Sequence, residues 1–184
     1  MKIVVQVHEN KMTFFSWPWH YQFPPFFTIQ KNSDTKLKQM EAWCSVVLSY
    51  HEHHKTLRIR LADIHTTPLF HNSKIDRKLS VDDVKEVLNE LHKKGNLKWE
   101  DKNKTSCIVL WRTMNQWADI LYNWVMENGA VNTVFTILEL CQGADYENEQ
   151  FYGLEDWFLV EIIQVLQSRG KAELIGEEGV KFFS

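Results

Sequence analysis

The chain has 184 residues, 44% of them hydrophobic, with a net charge of −3; this suffices for one domain or two small ones, and no run approaches the ~20 apolar residues of a membrane span. Its three cysteines, Cys44, Cys107 and Cys141, are odd in number, far apart and set among apolar residues, which argues against a disulfide framework or a CxxC site and for a reducing compartment, the cytosol by default. Residues 1–114 carry 18 Lys/Arg against 12 Asp/Glu, whereas residues 115–184 carry 3 against 12, so the C-terminal third should repel nucleic acid and anionic membrane and attract a basic peptide or helix.

In chain order, residues 1–7 are apolar but short, carry one Lys and lack a small-residue cleavage site, and so make a poor signal peptide. Residues 14–27 read FFSWPWHYQFPPFF, with eight aromatics besides His20 in fourteen positions. Pro18, Pro24 and Pro25 exclude regular helix and central strand. An extended, polyproline-like arm remains, carrying large apolar side chains on a backbone with little entropy left to lose, and such an arm docks aromatics into grooves. For Trp17 and Trp19 two readings stand: docking on a partner, or folding back onto the chain's own core. Pro24, Pro25, Phe26 and Phe27 read as the more exposed stretch, with Pro24, Pro25 and Phe27 entering a partner's apolar groove.

A first helix is expected after a cap at Ser33-Asp34, with Leu37, Met40, Trp43, Cys44, Val47 and Tyr50 on one face. Residues 56–60 lean towards strand, and residues 61–64 towards a short second helix that ends before Pro68. Ser80 to Asp83 is a capping pattern opening a third helix with Val84, Val87, Leu88 and Leu91 inward and Gly95 as its stop. Residues 96–99 and 106–111 then read as strands joined by a polar turn. The order recurs: a helix around Trp117 and Trp124, a strand near residues 133–135, a capping box at Thr136, a helix over 154–169 stopped by Gly170, and a hairpin turning at residues 176–179. A shift of 75 sets Leu79 on Leu154, Leu91 on Leu166 and Gly95 on Gly170. The fold expected is α+β: an extended N-terminal aromatic and proline arm within residues 1–32, then two tandem winged-helix domains over residues 33–112 and 113–184.

Chemistry is sparse. His51-Glu52-His53-His54 invites a metal, but H-E-x-x-H needs His at 55, where Lys stands; a solvated helix end is the preferred reading. Nucleophile elbows and phosphate-binding glycine loops are missing, and the pairs Asp82-Asp83 and Glu155-Asp156 sit where carboxylates meet a helix dipole. No enzyme activity, cofactor or metal is therefore expected. A DNA-binding winged helix is the rival reading. Lys85, Lys93, Lys94, Lys98, Lys102 and Lys104 supply one possible face, but Asp82, Asp83, Glu86, Glu90, Glu100 and Asp101 interleave with them, and a mixed solvated face fits better than a phosphate-reading one. In the second copy Glu155, Glu161, Glu177 and Glu178 are wrong for DNA. Trp157 stands open between an exposed anchor and a core residue.

The run Trp17-Pro18-Trp19-x-Tyr21-x-Phe23-Pro24-Pro25-Phe26-Phe27-Thr28, with Ala42-Trp43-Cys44, Pro68-Leu69-Phe70, Arg77-Lys78-Leu79, Lys93-Lys94-Gly95-Asn96-Leu97 and the closing Gly179-Val180-Lys181-Phe182-Phe183, resembles the small-subunit family of the ESCRT-II endosomal sorting complex. The resemblance covers residues 15–183 and leaves out the first eleven. It implies a Y-shaped complex holding two copies of the chain, each attached through its PPxF-type arm to one of two larger subunits. It also implies that the second winged helix recruits the nucleating subunit of ESCRT-III, for sorting of ubiquitinated cargo into multivesicular endosomes. The chain would then be a cytoplasmic scaffold recruited to endosomal membranes, without inserting into them and without binding nucleic acid. Within that reading, Glu155, Trp157 and Glu161 on the last helix are the expected contacts of a basic amphipathic helix, alongside Asp119, Glu177 and Glu178.

Overall fold

A computed structural model describes residues 14–184; the expected extension over residues 1–11 lies outside the described residues. Helix α1, Ser33–His54, is capped one residue before the expected Ser33-Asp34, because the Asn32 side chain accepts from the backbone N–H groups of Asp34 and Thr35, both at 3.1 Å. It buries Met40, Trp43, Cys44, Val46 and Val47. Lys55, left-handed at φ 49°, ends it. Strand β1, Arg58–Arg60, follows.

Residues 61–63 form a single 3-10 turn where a second α-helix was expected. Pro68 disfavours helical backbone at Thr67, and the β-branched Thr66-Thr67 pair weakens the turn before it. The Leu61 N–H bonds instead to Thr105 O at 2.9 Å. A two-residue ladder unseen in the sequence, β2 (His71–Asn72) with β3 (Arg77–Lys78), comes next.

Helix α2, Val81–Lys93, is capped by the Ser80 hydroxyl, which accepts from Asp83 N–H at 3.1 Å. Strands β4 (Leu97–Trp99) and β5 (Ser106–Val109) complete a sheet in the antiparallel order β1-β5-β4. Helix α3, Met114–Glu127, opens with a reciprocal capping box between Thr113 and Gln116. Strand β6 (Val134–Thr136) runs into helix α4 (Ile137–Gln142), which has the expected box between Thr136 and Glu139. Helix α5 spans Asp156–Ser168, and strands β7 (Ala172–Ile175) and β8 (Gly179–Phe182) close a second sheet, order β6-β8-β7.

The two copies share their helix stops. After α2, Gly95 sits at φ 78° and Asn96 N–H reaches Leu91 O at 2.9 Å; after α5, Gly170 sits at φ 69° and Lys171 N–H reaches Leu166 O at 2.8 Å. The same shift of 75 relates both bonds. Only glycine takes that left-handed position without strain.

Two apolar cores result. The first gathers Trp43, Val47, Leu79, Val84, Leu88 and Val109; the second Trp117, Leu121, Leu140, Phe158, Ile163 and Phe182. Leu57, Ile108 and Leu110, from the segment expected to form the first winged helix, are buried in the second core. The outward face of the first sheet is thus the seat of the second unit.

Candidate protein-docking surfaces

The arm keeps extended backbone at Pro18, Phe23 and Thr28 and folds into one 3-10 turn at Trp19–Gln22 and another at Pro24–Phe27. These turns sort its side chains. Phe26 and Phe27 turn inward and are 6% and 3% exposed. The Phe26 ring stacks on Trp43 at 4.3 Å between centroids and 9° between planes, and Phe27 meets the same indole edge-on at 5.3 Å. Trp43 Nε1–H donates to Phe26 O at 3.0 Å, and Gln39 Nε2–H to the same oxygen at 2.9 Å. A buried indole and a buried amide need acceptors, and the arm's backbone supplies them.

Tyr21 is held likewise. Its hydroxyl donates to Pro68 O, its own carbonyl accepts from Asn72 Nδ2–H at 2.8 Å, and burial lifts its pKa well above the ordinary tyrosine range. Trp17 is half-buried and stacks on Tyr21 at 3.7 Å.

Phe26 and Phe27 are therefore parts of the first core, and their expected place as exposed anchors is corrected. The reason is local: a 3-10 turn, unlike polyproline, carries both rings to the side of Trp43. Opposite them lies a different set. Trp19 is 77% and Phe23 50% exposed, with ring centroids 6.1 Å apart, and Pro24 and Pro25 are exposed beside them.

The acidic face of the second unit also divides. Glu155 is the cap residue of α5 but makes no capping bond; its carboxylate accepts from Trp157 Nε1–H. Trp157 is half-buried, with the Arg58 guanidinium 6.0 Å from its ring centre. Glu161 pairs with Lys98 at 3.2 Å. Trp157 and Glu161, one helical turn apart, thus meet the first unit. Glu161, expected as a partner contact, is already paired within the chain.

Beside them lies an open groove of about 320 Å³. Its apolar part is Ile137, Leu138, Trp157 and Val160, and its acidic rim is Asp156, Glu177 and Glu178. Leu138 is 56% exposed and escaped notice in the sequence, because a helix of six residues shows no periodicity from which an outward leucine stands out.

Several of the other polar groups weighed in the sequence have internal partners. His51 is 3% exposed, its Nδ1 lies 2.7 Å from Thr56 O, and burial pushes its pKa down to about 4. His54 Nδ1 lies 2.8 Å from Tyr50 O. Of the lysines weighed for DNA, Lys93 pairs with Glu90 at 3.4 Å, Lys98 with Glu161, and Lys104 donates to Asn89 at 2.7 Å while covering Trp99. Burial pushes the Cys44 thiol up to about 11 and those of Cys107 and Cys141 up to about 12, so all three stay protonated at neutral pH. Among the described residues, no helix is long and apolar enough to cross a membrane.

The chain's relatives agree with this architecture. A family model described as ESCRT-II complex subunit matches residues 20–155. The chain is 52% identical to vacuolar protein-sorting-associated protein 25 of Danio rerio over 172 residues, 92% of this chain and 99% of that protein. In structure it is similar to subunit VPS25 of the endosomal trafficking complex ESCRT-II, with a TM-score of 0.79, 25% identity and coverage of 90% and 97%. It is also similar to a chain of the endosomal complex ESCRT-II (VPS22/VPS25/VPS36), with a TM-score of 0.76, 25% identity and coverage of 90% and 98%. The chain belongs to the ESCRT-II complex subunit family and, within it, to the family of vacuolar protein-sorting subunit twenty-five.

Proposed function

We propose that this chain is a non-enzymatic scaffold subunit that docks onto the two larger ESCRT-II subunits through its N-terminal arm and recruits the ESCRT-III nucleating subunit through its C-terminal winged helix. Two copies serve one complex. The process is multivesicular-body sorting of ubiquitinated cargo, with a cytoplasmic chain reaching endosomal membranes through its complex. Family membership and the solved assembly of similar chains support the choice of partners.

The observation that carries the docking step is the ridge Trp19, Phe23, Pro24 and Pro25, exposed on the far side of turns whose other face is locked into the core. A ridge held rigid before binding loses little entropy on docking. Large aromatics so placed carry most of an interface's energy. The test is co-purification of the full chain with the two larger subunits. Trp19→Ala with Phe23→Ala should lose both, and retention of both would remove the ridge from the interface.

Recruitment rests on the groove beside Trp157. Its apolar part suits the apolar face of a helix, and Asp156, Glu177 and Glu178 suit basic residues along that helix's flank. Glu177→Lys with Glu178→Lys should slow association with a basic amphipathic helix and flatten its salt dependence, leaving arm-mediated assembly intact. An unchanged rate and salt response would place the contact elsewhere.

A further inference from the structure

The junction between the two units is built from one cross-strand row. In the sheet β1-β5-β4, Arg58 stands opposite Ile108, and Ile108 opposite Lys98. All three face α5: Ile108 is buried in the second core, Lys98 pairs with Glu161, and Arg58 lies against Trp157. Trp157 and Glu161 are four residues apart, so one helix face receives the whole row.

Arg58 is itself fixed. Its Nε–H donates to one Glu100 oxygen at 3.0 Å and its NH2 group to the other at 3.0 Å, and the Ser106 hydroxyl donates to the same carboxylate. This two-pronged grip sets the guanidinium plane. On the other unit, the Trp157 indole N–H is donated to Glu155. The ring is thus held by Glu155 from its own segment and by Arg58 from across the junction. The same ring is a wall of the groove formed with Ile137, Leu138 and Val160.

We propose that Arg58 is a positioning residue for that groove: it orients the Trp157 indole from the first winged helix and so makes the binding site of the second depend on the junction. The proposal rests on the groove being the site of a basic amphipathic helix. Its sign separates it from simple electrostatics. Arg58 is a cation near an acidic rim, so by charge alone its removal should tighten the binding of a basic helix. If it positions the indole, its removal weakens binding in spite of the charge.

The experiment uses the full chain labelled with nitrogen-15, with the Trp157 indole resonance identified by its disappearance in Trp157→Phe. A Leu/Lys amphipathic helical peptide is the probe. In Arg58→Ala and in Glu100→Gln, which frees the guanidinium without touching the groove, the Trp157 resonance should move while those of the core residues Trp43 and Trp117 stay. Peptide affinity should fall about threefold or more, the worth of a partly desolvated cation–ring contact. An unmoved Trp157 resonance in Arg58→Ala, or tighter peptide binding, would overturn the proposal. A peptide that binds neither variant nor parent would sink the groove reading itself, and the resonance alone would then decide whether Arg58 sets the ring.

Discussion

Phe26→Ala and Trp19→Ala should fail in opposite ways, although both remove an aromatic ring from the same arm. Phe26 is 6% exposed and lies between Trp43, at 4.3 Å, and His20, at 4.5 Å. Burying an aromatic of about 200 Å² at ~25 cal/mol/Å² is worth about 5 kcal/mol as an upper bound. Measured truncations of buried phenylalanine cost about 3–5 kcal/mol once the cavity is counted. The Trp43 N–H bond survives, because its acceptor is the backbone oxygen of residue 26. For a chain of this size, a loss of that order lowers the melting temperature by roughly 10 °C. Trp19, 77% exposed, should change stability by no more than about 0.5 kcal/mol, while costing about 2 kcal/mol or more in affinity for a larger ESCRT-II subunit. Thermal denaturation and titration calorimetry on the two variants decide it. A Phe26→Ala protein that melts like the parent, or a Trp19→Ala protein that melts early and binds normally, would refute the sorting of the arm into core and ridge.

The His51 imidazole, lowered to about 4 in the fold from an ordinary value of 6.5, makes stability constant above pH 6.5 and falling as pH drops from 6.5 towards 4. The unfolded chain takes up that proton first, so the loss by pH 4 is about 3 kcal/mol; urea midpoints at stepped pH should show this fall, and His51→Gln should flatten it. Thr136→Ala removes one half of a reciprocal cap on α4 and should cost about 1 kcal/mol, read from the same urea curves. Gly170→Ala forces a side chain to φ 69° in otherwise open space and should cost about 1–2 kcal/mol through backbone strain alone, with no gain for the larger Gly170→Val from packing.

What was legible in the sequence was whatever a short window contains. Ser80, Thr136, Gly95 and Gly170 act through neighbours three to five residues away, and the structure places each at the helix end where the pattern set it. The inward face of α2 follows from spacing alone, since Val84, Val87, Leu88 and Leu91 are all fully buried. The arm was legible in composition but not in direction. Three prolines exclude helix and sheet, yet they do not distinguish polyproline from a pair of 3-10 turns, because proline accepts the backbone of both. What decides is Trp43, seventeen residues on, whose indole needs the Phe26 carbonyl. The ladder of β2 and β3 is two residues per strand, too short for alternation to register.

The charge asymmetry shows most clearly how tertiary contact rewrites a reading made from composition. A second unit with 12 acids against 3 bases reads as a surface waiting for a basic partner, and part of that partner is the first unit. Glu161 is matched by Lys98 across the junction, and Arg58 lies close enough to Glu155 for the two charges to interact. Asp119 is matched within its own unit by Arg169 at 2.6 Å, and Glu139 is spent on a cap. Most of the other acids have no ion pair among the described residues; Glu177 and Glu178, at the tip of the wing, are the two of them that stand with Asp156 on the rim of the groove where Leu138 is exposed. Exposed ion pairs of the Lys98–Glu161 kind contribute only about 0–1 kcal/mol each, so holding the units together falls to Leu57, Ile108 and Leu110, and the charges set orientation. Lys98→Glu with Glu161→Lys should therefore restore the orientation that either change alone disturbs. The readout is a small-angle scattering profile: distorted for each single variant and parental for the double one. Single variants that scatter like the parent would mean that the apolar seat alone fixes the angle between the two winged helices.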